Sequence, residues 1–220
     1  MRPLLLDLFC GAGGAAMGYH RAGFRVVGVD NKFQKNYPFE FHQGDALEFC
    51  RNHGNEFDAI HASPPCQRYS RCNTMHTTRM KEYPDLIVPT RDVLRSVCKK
   101  YVIENVPGSP LQRPIQLCGL MFGLRLFRHR LFESNVFLMT PYHPAHTGHR
   151  VGENGFVCMA GHGDSGRGRI PADHRNVSSW KCAAGIDWMT RYEMAQAIPP
   201  AYTEFIGRQL MMVLTRELKE

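Results

Sequence analysis

Short apolar runs that end in polar turns dominate the first half of the chain. Residues 4–9 read LLLDLF and lead into the loop CGAGG, after which a helical pattern extends to Gly23. A β-branched run, FRVVGVD at 24–30, then ends in an acid. A strand, a glycine turn, a helix and a second strand in this order predict a doubly wound α/β sheet. Three further elements are predicted, namely strands at 57–61 and 101–106 and a helix at 89–100.

The pattern changes in the second half of the chain. Residues 134–184 are rich in glycine, histidine and arginine and show no helical or strand period, which predicts a loop-rich subdomain. A helical pattern resumes near Thr190, and an amphipathic helix is predicted from about Thr203. We therefore expect a main α/β domain at 1–133, a small loop-rich segment at 134–184 and a return to the main domain at 185–220.

Charge and cysteine content narrow the class of protein. The 27 lysines and arginines outnumber the 20 acids, and the formal net charge of +7 favours a polyanionic partner. The first residues do not form a signal peptide, because Asp7 interrupts the apolar run, and no stretch approaches membrane-spanning length. We expect a cytoplasmic protein without membrane contact, in which the eight cysteines are free and one is available as a nucleophile.

Polar residues gather where the predicted parallel strands end, the edge at which such sheets bind ligands. The glycine loop permits close approach of a ligand, and Asp30 follows the second strand at the spacing of a ribose-binding acid. Asp45 adds a polar group on a turn in the same half. Each acid is also common as a solvated turn residue. Together they favour an adenosine-containing cofactor.

A cysteine follows two prolines in the run SPPCQ, directly after the strand predicted at 57–61. Pro64 and Pro65 stiffen the backbone that presents Cys66, and Arg68 and Arg71 are positioned in sequence to favour its thiolate form. A cysteine is more often a buried apolar residue, but a rigid and polar loop is an unusual place for one.

A glutamate and two arginines complete the candidate chemistry. Glu104 ends the strand at 101–106, where it either caps the next turn or serves a reaction, since burying an acid without a purpose is costly. Arg128 and Arg130 alternate with apolar residues, so in a strand they would share one face and offer two guanidinium groups to a polar substrate. As an isolated pair they would be surface charge.

These motifs together resemble those of the cytosine-5 DNA methyltransferases. DLFCGAGG resembles the family's cofactor loop, SPPCQ its proline-cysteine motif, ENV its glutamate motif, the paired arginines its later substrate-contacting motif, and AIPPAYTEFIGRQL its closing motif. They occur in the family's order and span nearly the whole chain outside 134–184. The resemblance implies a Rossmann-like, S-adenosylmethionine-dependent methyltransferase fold with a reduced recognition segment.

The resemblance also implies a mechanism. Cys66 would add to carbon 6 of a cytosine flipped out of double-stranded DNA, and Glu104 would hold ring nitrogen 3. Carbon 5 would then take the methyl group of S-adenosylmethionine, and loss of its proton would release the cysteine. Arg128 and Arg130 complete the implied catalytic set.

Binding roles are implied residue by residue. Phe9 would lie against the adenine of the cofactor, while Asp30 would bind its ribose and Asp45 the edge of the adenine. The implied cofactor-binding residues are Asp7, Phe9, Gly11, Gly13, Gly14, Asp30, Asp45 and Pro65, with the glycines admitting the methionine end. The implied DNA-contacting residues are Gln67, Arg68, Ser70, Arg167 and Arg169.

The chain departs from the family pattern in three places. Leu126 stands where glutamine is usual, Ala195 and Gln196 replace a glycine-asparagine pair, and the recognition segment is unusually short. We expect these changes to spare catalysis and to leave a short recognition site of about two to four base pairs, bound with a steep dependence on salt. We expect a monomer.

The histidines of the recognition segment do not follow a recognised zinc pattern. His143, His146 and His149 are regularly spaced, and Cys158 and His162 follow. The implied reaction requires no metal, so phosphate-contacting or solvated histidines are expected rather than a metal, and a structural metal in this segment stays an open alternative.

Four other functions stay open on the sequence alone. An RNA cytosine-5 methyltransferase would carry the same motifs, and a silent DNA-binding relative or an enzyme of free nucleotides would share the fold. A cytosine-N4 methyltransferase would have SPP followed by an aromatic residue, whereas Cys66 and Gln67 follow the prolines here.

Overall fold

A seven-stranded sheet forms the centre of the protein. The computed structural model describes residues 2–69, 83–148, 151, 154–157, 159 and 176–217. The strands are β1 Leu4–Leu8, β2 Arg25–Asp30, β3 Glu40–Gln43, β4 Ala59–Ala62, β5 Lys100–Asn105, β6 Ile115–Leu117 and β7 Arg130–Ser134. Their order is β3-β2-β1-β4-β5-β7-β6. The first five are parallel, and β7 runs antiparallel to both β5 and β6.

Helices cover both faces of this sheet, as the doubly wound prediction requires. They are α1 Gly14–Arg21, α2 Ala46–His53, α3 Ile87–Val97, α4 Val177–Ala184, α5 Arg191–Gln196 and α6 Pro200–Glu217, with 3₁₀ turns at Gly54–Glu56 and Gly119–Phe122. One apolar layer contains side chains of α1 and α6, such as Tyr19 and Tyr202. The opposite layer contains side chains of α2 and α3, such as Leu47 and Leu94. The predicted α/β architecture is confirmed.

The last helix brings the end of the chain beside the glycine loop. The Thr203 hydroxyl, fully buried, donates to the Ala15 carbonyl oxygen at 2.9 Å. This bond joins the first turn of α6 to the first turn of α1. The closing motif therefore supports the loop that precedes α1. The helix begins at Pro200 rather than near Thr203, since proline suits the first helical position.

The second half of the chain contains a helix that was not predicted and differs from one expectation. Within the loop-rich segment 134–184, α4 occupies Val177–Ala184 with Asn176 as its N-cap. With only eight residues and three buried side chains, this helix gives too weak a periodic signal to be predicted. In addition, Arg128 and Arg130 do not share a strand face, because β7 begins at Arg130.

A third apolar cluster explains the unusual Leu126. Its side chain is fully buried among residues of the small segment, including Val157, Met159 and Trp180. Leu126 also forms an isolated parallel bridge with Val157. Where the resembling family carries a polar side chain, this chain uses the position to anchor its reduced segment to the main domain.

A buried ion pair holds α3 against the antiparallel strand β7. The Arg91 guanidinium contacts both carboxylate oxygens of Glu133, at 2.7 and 2.8 Å, and the two side chains are only 5% and 3% exposed. The backbone N–H of Gln112 donates to the same carboxylate at 2.7 Å. The Glu133 partner raises the pKa of Arg91. No buried nitrogen or oxygen atom in the side chains of Arg91 and Glu133 lacks a hydrogen-bond partner.

Removing one partner of this pair is expected to destabilise the fold strongly. Arg91→Ala leaves a buried carboxylate without its counter-charge, and we expect the free energy of unfolding to fall by about 3–5 kcal/mol. Arg95→Ala is the control, since Arg95 on the same helix makes only an exposed contact with Gln112. Urea unfolding measures both variants. A loss below about 1 kcal/mol for Arg91→Ala would contradict the role of the pair.

In the part of the chain that the structure describes, no helix is long and apolar enough to cross a membrane. The six cysteines there are free, as predicted.

Candidate active site

The ends of β4 and β5 bring the predicted cysteine and glutamate motifs together. Ala62 pairs with Ile103 in parallel register, so Ser63 and Glu104 are the next residues on neighbouring strands. Cys66 lies three residues beyond Ser63, on a loop where it is partly exposed. This is the carboxyl edge of the sheet, where parallel α/β folds bind their ligands.

Glu104 is a buried carboxyl group held beside an arginine. Its side chain is 6% exposed, and its Oε1 lies 2.9 Å from Arg130 Nε, an electrostatic contact whose alignment is poor for a hydrogen bond. Burial raises the pKa of Glu104. Arg130, a hydrogen bond with Ser63 and Arg128 counteract part of this effect. The carboxyl group therefore takes up a proton more readily than an ordinary glutamate does.

Burial and nearby charges also determine the state of the Cys66 thiol. Burial raises its pKa, while Arg130 and Arg128 lower it and Glu104 raises it. Arg68, which was predicted to assist the thiolate, donates to the Tyr83 carbonyl oxygen at 3.3 Å, and it is not among the main causes of this shift. The arginines that favour the thiolate come from the end of the main domain rather than from the cysteine loop. The second arginine named for this role, at position 71, lies outside the described residues.

Asn105, the residue after the glutamate, fixes the cysteine loop. Its Nδ2 donates to the Pro64 carbonyl oxygen at 2.9 Å, and its Oδ1 accepts from the Val106 N–H at 2.9 Å. The side chain is fully buried. The Tyr69 N–H in turn donates to the Cys66 carbonyl oxygen at 3.0 Å and closes a turn after the thiol. The cysteine loop is therefore attached directly to the end of the strand that carries Glu104. This attachment could not be predicted from the sequence.

Asn105→Ala is expected to slow the reaction by more than it destabilises the fold. Loss of the bond to Pro64 frees the loop that carries the thiol, and we expect a fall of about tenfold or more in single-turnover rate. Asn135→Ala is a matched control, because Asn135 also bonds backbone on both sides, to Tyr101 N–H and Lys99 oxygen. These bonds lie at the opposite end of β5. Equal rates per folded molecule in the two variants would contradict the positioning role.

A chain of hydrogen bonds supports Glu104 from inside the sheet. The Tyr19 hydroxyl lies 3.0 Å from His61 Nδ1, and His61 Nε2 lies 2.9 Å from the Ser63 hydroxyl. Burial lowers the pKa of His61 to about 3, so the ring is neutral. A tyrosine that donates to Nδ1 leaves Nε2 to donate to Ser63, whose hydroxyl is then oriented toward Glu104. Sequence reasoning missed all three supporting residues, because their partners are set by strand register.

The two arginines have different surroundings. Arg130 is 12% exposed and faces Glu104. Arg128 is buried, and its two terminal nitrogens donate to the carbonyl oxygens of Met159 and Ala195. Burial and the neighbouring Arg130 lower the pKa of Arg128 to about 9. Its guanidinium thus joins the segment 134–184 to α5, and Arg130 is the arginine that lies against the carboxyl group.

The glycine loop and Asp30 form the other side of the candidate site. The Gly11 N–H donates to Asp30 Oδ2 at 3.1 Å, and the Lys32 N–H donates to Oδ1 at 3.0 Å. Gly11 has φ +47°, and a Cβ built on it meets no atom within 4 Å. Phe9 adopts a positive φ of 58° just before it. The loop therefore leaves open space next to an anchored carboxylate.

The next two glycines are required by packing within the protein. A Cβ on Gly13, whose φ is +83°, would lie 2.8 Å from a carbon of Pro38, and one on Gly14 would lie 2.5 Å from the Ile198 oxygen. Trp188 donates its indole N–H to the Ala12 oxygen at 2.8 Å. The Gly14 contact joins the loop to the closing motif, and the Trp188 bond joins it to the residues before that motif. Of the three predicted glycines, Gly11 alone borders open space.

The remaining predicted cofactor residues lie in three different settings. Asp7 is fully buried in β1, where burial and then Asp30 raise its pKa well above the usual range while Tyr37 lowers it. Asp45 is the N-cap of α2, and its Oδ1 accepts from the N–H groups of Leu47 and Glu48. Pro65 is exposed beside Cys66. Their binding roles stay predictions.

The predicted DNA contacts are only partly described. Gln67 and Arg68 are exposed on the loop after Cys66. Ser70, Arg167 and Arg169 lie outside the described residues, so their role also stays a prediction.

A separate group of side chains that could ligate a metal includes His129, the residue before Arg130. Cys118, His129, His143 and His146 place their sulfur and ring nitrogens within 4.8 Å of one another. Burial and the two neighbouring imidazoles lower the pKa of His129. Cys118 and His129 were not among the predicted candidates. The positions 149, 158 and 162 that sequence analysis considered lie outside the described part of the chain.

Solved structures of two methyltransferases share this fold. The Dnmt2 methyltransferase of S. pombe superposes with a TM-score of 0.62 at 12% identity, covering 97% of this chain and 99% of that one. The Entamoeba histolytica methyltransferase EhMeth superposes with a TM-score of 0.57 at 16% identity, covering all of both chains. The fold is therefore that of an α/β methyltransferase.

The sequence places the chain more narrowly. Residues 4–111 match the model of the C-5 cytosine-specific DNA methylases, so this stretch of the chain is similar to that family. The Type II methyltransferase M.FnuDI of Fusobacterium nucleatum is 30% identical over 115 residues, which are 47% of this chain and 32% of the relative. M.NgoFVII of Neisseria gonorrhoeae is 28% identical over 189 residues, 70% of this chain and 50% of the relative. The chain thus spans a third to a half of these curated relatives.

Proposed function

We propose that the protein transfers a methyl group from S-adenosylmethionine to carbon 5 of cytosine in double-stranded DNA, through a covalent bond to Cys66. The observation that carries this proposal is the unit formed by Cys66, Glu104 and Arg130 at the carboxyl edge of the sheet. One nucleophile, one carboxyl group of raised pKa and one fixed positive charge meet there. Covalent addition to a cytosine ring needs these three functions together.

The glycine-loop side of the site fits the cofactor. Gly11 borders open space, and the carboxylate of Asp30 is held next to it by two backbone N–H groups, in position for a ribose hydroxyl. The first turn of α1 contains no acid and no side-chain cap, which leaves its N–H groups for the polar methionine end. When bound, S-adenosylmethionine supplies an electrophilic methyl group on a sulfonium centre.

Each residue of the site has a separate role in the reaction with the cytosine base. The Cys66 sulfur, once deprotonated, forms a bond to carbon 6, and the ring gains electron density at carbon 5 and nitrogen 3. Arg130 favours the thiolate, since its charge lowers the thiol's pKa. Glu104 in its protonated form donates to ring nitrogen 3, which offsets the charge pushed into the ring. After carbon 5 takes the methyl group and loses its proton, the sulfur leaves and the aromatic ring is restored.

The positioning residues explain why the thiol is presented on such a stiff loop. An attack on an aromatic ring requires the sulfur to approach carbon 6 within a narrow range of angles. Two prolines restrict the loop, and the bond from Asn105 to Pro64 attaches it to the strand that carries Glu104. Nucleophile and acid are therefore held at a fixed separation before the base arrives.

Transfer of tritiated methyl groups tests the substrate class. We expect incorporation into duplex DNA and none into RNA or free nucleotides, with bisulfite sequencing locating the product at carbon 5. Incorporation into RNA alone would favour the RNA-directed alternative. Binding of DNA without any transfer, by a protein shown to bind S-adenosylmethionine, would contradict the proposal.

A further inference from the structure

Four potential metal ligands from separate parts of the chain converge beside the arginine loop. We call Cys118, His129, His143 and His146 the Cys118 cluster. Cys118 Sγ lies 3.5 Å from His146 Nε2, and His129 Nε2 lies 3.2 Å from His143 Nε2. All four ligand atoms lie within 4.8 Å of one another. Cys118 is fully buried, and the three histidines are partly buried.

These separations match a tetrahedral zinc site. Zinc binds sulfur at about 2.3 Å and imidazole nitrogen at about 2.0–2.1 Å, which at tetrahedral angles places ligand atoms roughly 3.3–3.6 Å apart. The two contacts of 3.2 and 3.5 Å are close to this range. The three imidazole rings also crowd together, with centroids 5.0 to 5.4 Å apart. Three imidazole nitrogens and a thiol sulfur this close together are what a shared ion requires.

We propose that the Cys118 cluster is a structural Zn²⁺ site. One thiolate and three imidazoles fill all four positions of a tetrahedral ion, and closed sites of this kind are structural, because catalytic zinc keeps a position open for water or substrate. Nitrogen and sulfur ligands in this geometry favour zinc over the hard cations Mg²⁺ and Ca²⁺, which take oxygen. The inference does not depend on the proposed methyl transfer.

The ion joins the reduced segment to the catalytic side of the molecule. His143 and His146 follow β7, whereas Cys118 directly precedes the 3₁₀ turn Gly119–Phe122. His129 stands between Arg128 and Arg130, so a metal bond to it fixes the backbone that carries both arginines. Zinc binding contributes folding free energy, which would add to that of the apolar cluster around Leu126.

An aromatic layer shields one side of the cluster. Phe127 lies with its ring centroid 5.0 Å from that of His146 and stacks on Phe156 at 5.1 Å. Apolar surroundings of this kind limit solvent access to a metal and strengthen its bonds to charged ligands. The expectation of no metal followed from looking for closely spaced ligands in one segment. The cluster instead combines residues from both sides of β7.

Metal analysis of the purified full-length protein tests the proposal. We expect about one zinc per chain in the wild type and in His42→Ala, a control that removes a partly exposed histidine on β3. Cys118→Ala and His143→Ala should contain almost none. After removal of metal, Co²⁺ added to the wild type should give the visible absorption of a tetrahedral thiolate complex, and His42→Ala should give the same spectrum.

Thermal unfolding of the wild-type protein tests the zinc site without any substitution. A strong chelator should lower the Tm of the wild type, and added Zn²⁺ should restore it. Two results would overturn the proposal. One is a wild-type protein that contains no zinc, takes up none after chelation and keeps its Tm. The other is equal zinc content in the wild type and in a folded Cys118→Ala or His143→Ala, which would place the ion elsewhere.

Discussion

Cys66→Ser is expected to lower methyl transfer by about 1,000-fold or more while leaving cofactor binding and the fold intact. A hydroxyl is a far weaker nucleophile than a thiolate near neutral pH. The glycine loop lies after β1 and contacts Asp30 and the closing motif, so the substitution leaves it unchanged. Tritiated methyl incorporation into duplex DNA measures the loss.

A second cysteine provides the matched control for this variant. Cys98 is an exposed free thiol at the end of α3, and Cys98→Ser should retain wild-type activity. Activity of the wild type should pass through a maximum as the pH rises, because the Cys66 thiol must lose its proton whereas Glu104 must keep one. Near-wild-type transfer by Cys66→Ser would exclude the covalent mechanism.

Glu104→Gln is expected to reduce turnover by about 100-fold or more. The amide keeps the shape of the side chain but has no proton to give up as ring nitrogen 3 becomes basic. The substitution also leaves Arg130 without its counter-charge in a nearly buried position, since the two side chains are 6% and 12% exposed. Single-turnover methylation of an unmodified duplex measures the effect, because it isolates the chemical step from product release.

An exposed glutamate provides the control for the Glu104 variant. Glu56→Gln removes an exposed carboxylate in the 3₁₀ turn before β4 and should not change the rate. Duplex affinity of Glu104→Gln, measured by gel shift, should stay within a few-fold of wild type. A rate loss below about threefold would mean that Glu104 only caps the turn after β5.

The strands that position the site could be predicted because each is a short apolar run that ends in polar residues. β1, β2, β4 and β5 are buried on both faces, which gives continuous apolar sequence. β3 was missed because Glu40–Gln43 is an edge strand with exposed side chains and no apolar run. The short helix α4 was missed for a different reason, because its periodic signal is too brief to distinguish from that of a loop.

The meeting of Cys66 and Glu104 also followed from the sequence, since parallel strands end at one edge of a sheet. The residues that hold Cys66 and Glu104 in place could not be predicted from the sequence. Asn105, Ser63 and His61 act through partners that strand register and side-chain direction select, and neither is visible in a linear pattern. The Cys118 cluster was missed for a related reason, because its members come together only when the chain after β7 folds back over Cys118 and His129.

The measurement that tests the covalent mechanism most directly uses a duplex with 5-fluorocytosine at the methylated position. Fluorine on carbon 5 cannot leave as a proton, so the bond between sulfur and carbon 6 cannot be released after methyl transfer. We predict a complex that survives denaturing electrophoresis, forms only with S-adenosylmethionine, and links the base to the peptide containing Cys66. Cys66→Ser should form none. A wild-type enzyme that methylates the ordinary duplex but forms no such complex, or links through another residue, would contradict the mechanism.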